Sequence, residues 1–273
     1  MSCLSIASLP APALAGVVKE RTVRAAIGAI KQCTVSGASM IDLHLPLLDT
    51  RDAESIGQIT GSSRLPILAL NYAVPSKDDD PERFEQERIE SLLEAVRGGV
   101  AGVDLQGYSG HAASRLGFCG PDLLSFTRRG PAEVLTDSKA IDRQCALIDE
   151  VHSLGAEVLL SCHPRLVMSA EEVLELALHL EKRRPDVIKI VSVAKTEEDL
   201  IESIRAMTLL KKELRTPVTY HANGRAGILS RIINPLVGGH IAFCVERYGE
   251  GTDLEQIPLA LAREVVDGIR KML

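Results

Sequence analysis

EVLLSCHPRLVMSAEEVLELALHLEKRRPDVIKIV, residues 157–191, reads as one strand–helix–strand unit. Glu157–Ser161 and Val187–Val191 are short apolar runs with the look of buried strands. Between them, Ala170–Arg183 carries a helical pattern, and Ser169 followed by Glu171 and Glu172 supplies an N-cap and first-turn acids. A strand, a crossover helix and a second strand of this kind pair in parallel.

The same alternation extends in both directions. Strands are predicted over Cys3–Ser8, Met40–Leu45, Leu65–Leu70, Gly102–Leu105, Pro217–Tyr220 and His240–Cys244, besides the two above. Helices are predicted over Lys19–Ser36, Arg51–Gln58, Pro81–Arg97, Ser138–Leu154, Thr196–Lys212, Ala226–Ile233 and Leu254–Leu273. Eight such pairs in 273 residues imply an α/β fold of the (β/α)8 TIM-barrel type, one domain over residues 1–273. An open doubly wound sheet would want a glycine-rich turn after the first strand, and Ser8-Leu9-Pro10-Ala11-Pro12 holds no GxGxxG. One connection is long. Gln106–Asp137 lies on the side of the barrel where active sites form, as a cover or as a surface excursion.

Composition narrows the function classes. Aromatic residues are 3% and Trp is absent, so the core is aliphatic. The net charge is −6 with no basic stripe, which argues against a nucleic-acid partner. The six cysteines, at 3, 33, 119, 145, 162 and 244, form no CxxC pair, which argues against zinc and disulfides and fits a cytoplasmic protein. Ala13-Leu14-Ala15-Gly16 resembles a signal-peptidase site, but no Lys or Arg precedes it and Pro10 and Pro12 interrupt the apolar run. No stretch is long enough to span a membrane.

Lys189 is a charged residue inside Val187-Ile188-Lys189-Ile190-Val191. Pointing into the barrel, it is the amine expected to form an imine with a ketone or aldehyde, neutralised by desolvation. Pointing outward, it snorkels between helices. His163 ends the neighbouring strand and suits proton transfer beside an imine; alone it reads equally well as a structural histidine. Arg231 suits a carboxylate, or is a solvated helix residue. Asp42 with His44, Asp104 with Gln106, and His221 with Asn223 are polar residues at strand ends.

At these positions the chain resembles the type I 3-dehydroquinate dehydratases, which are Schiff-base barrels of the class I aldolase kind. Leu159-Leu160-Ser161-Cys162-His163 is similar to their catalytic-histidine segment, Asp186-Val187-Ile188-Lys189-Ile190 to their Schiff-base strand, and Ile228-Leu229-Ser230-Arg231 to their carboxylate-binding arginine motif. The segment through Gln256-Ile257 resembles their lid, whose Gln contacts substrate. The resemblance implies catalysis by Lys189 and His163, with substrate held by Arg231, Gln256, Asp42, His44 and Asn71. It implies a small keto-acid substrate, no metal or organic cofactor, and 3-dehydroshikimate as the product from 3-dehydroquinate. A homodimer is expected, since two-fold pairs are the commonest oligomers.

The chain departs from the family in four places. Where the family has an acid, one residue, then Arg on strand two, this chain has Asp42-Leu43-His44. Asn71 is expected at the position of the strand-three Arg, and Pro75 where a Glu supports the catalytic histidine. Gly249–Gln256 lacks the lid's Ser-Ala-Pro-Gly pattern, and the 106–137 loop is longer than usual. These departures leave open an aldolase or dehydratase for another carbonyl substrate, and a non-catalytic descendant that binds a ketone metabolite.

Overall fold

The computed structural model describes residues 5–73, 75–76, 78–110, 134–249 and 254–272. The strands are β1 (Ala13–Val18), β2 (Met40–His44), β3 (Ile67–Leu70), β4 (Gly102–Gln106), β5 (Glu157–Cys162), β6 (Val187–Val193), β7 (Val218–Asn223), β8 (Ile241–Val245) and a short β9 (Ile257–Pro258). The helices are α1 (Val23–Val35), α2 (Ala53–Gly61), α3 (Pro81–Arg97), α4 (Ser138–Ser153), α5 (Ala170–Glu181), α6 (Glu197–Glu213), α7 (Ser230–Leu236) and α8 (Leu259–Arg270).

Every strand pairing is parallel, in the order β7-β6-β5-β4-β3-β2-β1-β8-β9. The sheet curls until β7 meets β8. There the His240 amide donates to the Val218 carbonyl at 2.8 Å, and the Ile241 amide to Thr219 Oγ1 at 2.9 Å. Helix starts follow the expected chemistry: Ser169 and Thr196 both build capping boxes, with Glu172 and Asp199 reaching back. α1 begins at Val23 rather than Lys19, because Thr22 accepts from the Ala25 amide and caps the helix there. The predicted helix over Ala226–Ile233 is a 3₁₀ turn, Gly227–Leu229, followed by α7.

The first strand is not where the sequence put it. Ser5–Ser8 form a turn, residues 1–4 lie outside the described residues, and β1 is the Ala13-Leu14-Ala15-Gly16 run that mimics a cleavage site. Its small residues suit close helix packing: a Cβ on Gly16 would come within 2.8 Å of the Cys33 side chain on α1. The turn that follows β1 is therefore Lys19–Thr22, again without a glycine.

Two apolar layers result from strand alternation. Outward residues such as Leu43, Ala69, Leu105 and Ile190 pack beneath the helices. Inward residues, among them Ala13, Met40, Leu68, Leu159, Val187 and Phe243, fill the lower barrel together with Ile6. Ile6 is held there by Glu157, whose carboxylate accepts from the amides of Ile6 at 2.6 Å and Ala7 at 3.0 Å, while His240 Nε2 bonds the Ile6 carbonyl at 2.9 Å. The N-terminal segment thus plugs the bottom, and the polar chemistry is confined to the top.

The long connection closes on itself where it leaves and re-enters the barrel. The Leu135 amide donates to the Gly107 carbonyl at 2.9 Å. Buried Arg88 binds Ser109 Oγ, and Glu85 accepts from the Gly110 amide. Residues 111–133 of that connection lie outside the described residues.

Candidate active site

Lys189 points inward. It is 6% exposed, and its Nζ lies 4.4 Å from the centroid of the Phe243 ring, on the upper surface of the apolar layer. Burial disfavours an ammonium, but here a carboxylate meets it: Asp104 Oδ2, on β4, stands 3.2 Å away. Of the two orientations open to Lys189 the inward one is found, and it brings a carboxylate partner.

Asp104 is fully buried and shared by three donors. Besides Lys189, Tyr72 donates to Oδ2 at 2.7 Å and Ser161 to Oδ1 at 2.6 Å. Tyr72 Oη is also 3.2 Å from Lys189 Nζ and 3.0 Å from Ser161 Oγ. Burial, then the Asp104 charge, push the Tyr72 phenol well above its ordinary pKa. Parallel register explains the cluster, since Ser161 pairs with Lys189 across β5–β6 and Leu70 with Asp104 across β3–β4.

His163 follows β5 and meets the Tyr72 ring edge-on, with centroids 5.4 Å apart at 80°. Desolvation, then Lys189, Arg165 and Arg231, hold its pKa well below the ordinary histidine value. The same depression applies to His221 on β7, from desolvation and then Arg231, Lys189 and His163. Both rings are therefore neutral near pH 7, able to accept a proton.

Arg231 opens α7, 7% exposed, its Nη2 bonded to Asn223 Oδ1 at 2.6 Å and 3.7 Å from Glu255 Oε2. Glu255 also accepts from the Gly224 amide at 3.0 Å, which ties the segment before β9 to the end of β7. Gln256 follows directly. Its carbonyl accepts from Tyr248 Oη, and its buried Oε1 has no hydrogen-bond partner among the described residues. Residues 250–253 of the expected lid are outside the described residues. On β2, Asp42 and His44 face each other at 3.4 Å, and buried Asp42 Oδ1 has no hydrogen-bond partner among the described residues.

Asn71 is placed differently from expectation. It is 2% exposed, but its amide donates to Ser91 Oγ on α3 at 2.7 Å, so it faces the helix layer. Tyr72, one residue later, has the inward position. Alternation carried past the end of β3, from Leu68 through Leu70, would have found it. Ser161 was likewise within reach, between Leu159 and His163 on the inward face of β5.

The sequence pattern described as "Type I 3-dehydroquinase" matches residues 127–271, just over half of the chain. The chain belongs to the type I 3-dehydroquinase family. Among curated members, the 3-dehydroquinate dehydratase of Alkaliphilus oremlandii is 29% identical over 104 residues, covering 37% of this chain and 41% of its own. That of Klebsiella pneumoniae subsp. pneumoniae is 26% identical over 124 residues, covering 45% and 49%. The chain thus spans less than half the length of the curated relatives it matches. Among solved family structures, the 3-dehydroquinate dehydratase of Geobacillus kaustophilus superposes with a TM-score of 0.72 at 14% identity, covering 98% of this chain and 96% of that one. The type I enzyme of Clostridium difficile, solved with covalently modified comenic acid, gives 0.72 at 12% identity over 97% and 95%. At such identities these likenesses show the shared barrel of the type I 3-dehydroquinases.

Proposed function

We propose that this type I 3-dehydroquinase is a carbon–oxygen lyase that dehydrates 3-dehydroquinate to 3-dehydroshikimate through an imine on Lys189. The observation that carries the reading is the amine of Lys189, buried at the barrel's upper layer beside a neutral His163, with Arg231 at the rim. Lys189 attacks the ketone and loses water to give an iminium. His163 takes the proton from the adjacent carbon, and the electron pair flows into the iminium. The resulting imidazolium protonates the hydroxyl that leaves as water. Hydrolysis of the imine releases an unsaturated ketone and the free amine. Arg231 exchanges Glu255 for the substrate carboxylate, and Asp42 Oδ1 accepts from a substrate hydroxyl. His44 and Gln256 complete the grip.

Imine chemistry carries its own electron sink, so the reading calls for no metal or organic cofactor. It carries with it a cytoplasmic enzyme, supported by free Cys33, Cys145 and Cys244, that works as a homodimer. Borohydride added with 3-dehydroquinate is expected to leave a mass gain on Lys189 that is lost in Lys189→Ala. Folded protein that traps nothing with this ketone, yet traps another from a panel of keto-acids, would replace the substrate.

One observation favours that second reading, an aldolase or dehydratase for a different carbonyl compound. The resemblance sets Asn71 at the strand-three Arg position, and the inward residue just past β3 is the phenol of Tyr72, so neither is cationic. A substrate with fewer oxygens at that end would suit it better.

A further inference from the structure

Forming an iminium from an ammonium and a ketone requires two protons to travel from nitrogen to oxygen. Lys189 begins as an ammonium paired with Asp104, so something must remove its protons and something must deliver protons to the carbonyl oxygen. The reading above gives His163 the carbon-bound proton of the next step. The cluster around Lys189 offers another route. Asp104 Oδ2 lies 3.2 Å from Nζ, and the Tyr72 hydroxyl lies 2.7 Å from the same oxygen and 3.2 Å from Nζ. The oxygen of a carbinolamine is two bonds from Nζ, which brings it within hydrogen-bond reach of that phenol.

We infer that Asp104 and Tyr72 form a proton relay for imine formation, with Asp104 taking protons from the Lys189 nitrogen and Tyr72 handing protons to the carbonyl oxygen. The inference rests on the imine reading above. The first proton passes from the ammonium to Asp104, and the freed amine attacks the carbonyl carbon. The C–N bond forms while the C=O π pair moves to oxygen, which takes the Tyr72 proton; Tyr72 recovers one from Asp104. Asp104 then takes a second proton from nitrogen. Tyr72 protonates the hydroxyl, the C–O bond breaks, and water leaves as the nitrogen lone pair closes the C=N bond. Tyr72 recovers that proton from Asp104. Two ammonium protons have become the two protons of water, and Asp104 and Tyr72 end as they began.

The electrostatics favour this order. In the resting site burial, and then the Asp104 charge, hold the phenol well above its ordinary pKa. When Asp104 accepts the lysine's proton that charge vanishes, and the phenol becomes the stronger acid at the moment an alkoxide forms beside it. Ser161, bonded to Asp104 Oδ1 at 2.6 Å, holds the carboxylate in line.

Reductive methylation with formaldehyde and excess cyanoborohydride tests the relay, because it traps the imine of any reacting amine without the natural substrate. Tyr72→Phe keeps the ring and its edge contact with His163 and removes only the hydroxyl. Labelling of Lys189 is expected to slow about 100-fold, the contribution typical of a positioned acid. Exposed Lys139 and Lys195 are expected to label at wild-type rates in the same sample. Asp104→Asn is expected to slow Lys189 in the same way. Equal labelling of Lys189 in wild type and Tyr72→Phe would overturn the relay. Slow labelling in the variant, with no dehydration of 3-dehydroquinate by the wild type, would sink the dehydratase reading and leave the relay standing. A wild-type Lys189 that formaldehyde does not label would remove both.

Discussion

Lys189 and Asp104 are paired at 3.2 Å across the width of an intervening strand, one on β6 and the other on β4. β5 contributes Ser161 between them, which bonds the carboxylate from the other side. A buried pair of this kind is costly to break from one end only, because the survivor keeps its charge without its counterpart.

Lys189→Ala is therefore expected to lower stability by about 3 kcal/mol as well as abolish imine trapping. Urea unfolding at pH 7 measures the loss. The double variant Lys189→Met with Asp104→Asn removes both charges and is expected to recover most of it. A single variant as stable as wild type would show that water already screens the pair.

Asn71→Ala separates the two neighbours at the end of β3. Its amide bonds Ser91 on α3 and its Oδ1 accepts from the Ala73 amide, so the change is expected to cost about 1–2 kcal/mol of stability. Turnover of 3-dehydroquinate is expected to stay within about twofold, since a side chain facing the helix layer makes no contact that changes in the transition state. A large fall in kcat/KM with the fold intact would return Asn71 to the site.

Arg231 and Glu255 are expected to shift KM in opposite directions. Arg231→Ala removes a charged hydrogen-bonding partner worth about 1.5–3 kcal/mol, which raises KM by roughly 10- to 100-fold. Arg231→Lys is not expected to restore it, because the planar fork is lost. Glu255→Gln removes a carboxylate that stands 3.7 Å from Arg231 and competes with the substrate's own, so KM is expected to fall. Steady-state kinetics on the three variants checks all of this; a raised KM in Glu255→Gln would mean that Glu255 orders Arg231 rather than competing for it.

His163 and His221 make stability pH-dependent. Both pKa values lie below the ordinary value of about 6.5 in the folded protein, so below that pH the unfolded chain binds more protons. Their contribution is full above about pH 6.5 and is lost as the pH falls toward the depressed folded values. The urea midpoint is expected to decline over that window, with a shallower slope in His163→Gln and in His221→Gln. A slope unchanged in both variants would assign the acid sensitivity to other groups.

Much of this was readable from the chain, and the gaps have physical causes. Lys189 stood out because a charge inside an apolar strand is costly unless it is paired or its head reaches solvent, and Arg231 because its motif is local. Tyr72 was not, because it lies two residues beyond β3, where alternation persists but hydrogen-bonded pairing has stopped. β1 was displaced because Ala13, Ala15 and Gly16 are small, Gly16 for its close approach to Cys33 on α1, and smallness carries less strand signal than β-branching. The role of Asp104 needed the register of three strands at once, and a one-residue slip would have turned it to the other face.

The strap that seats Ile6 closes the barrel from below, on the side away from the polar cluster. Ile6 belongs to the same apolar layer as Phe243, and the Phe243 ring is the surface on which the Lys189 ammonium rests. Loosening the strap at Glu157 would let water rise from below, raise the effective dielectric around Lys189 and Asp104, and weaken their mutual hold. Such a change at the bottom of the barrel would then be felt by the amine at its top, through the seal.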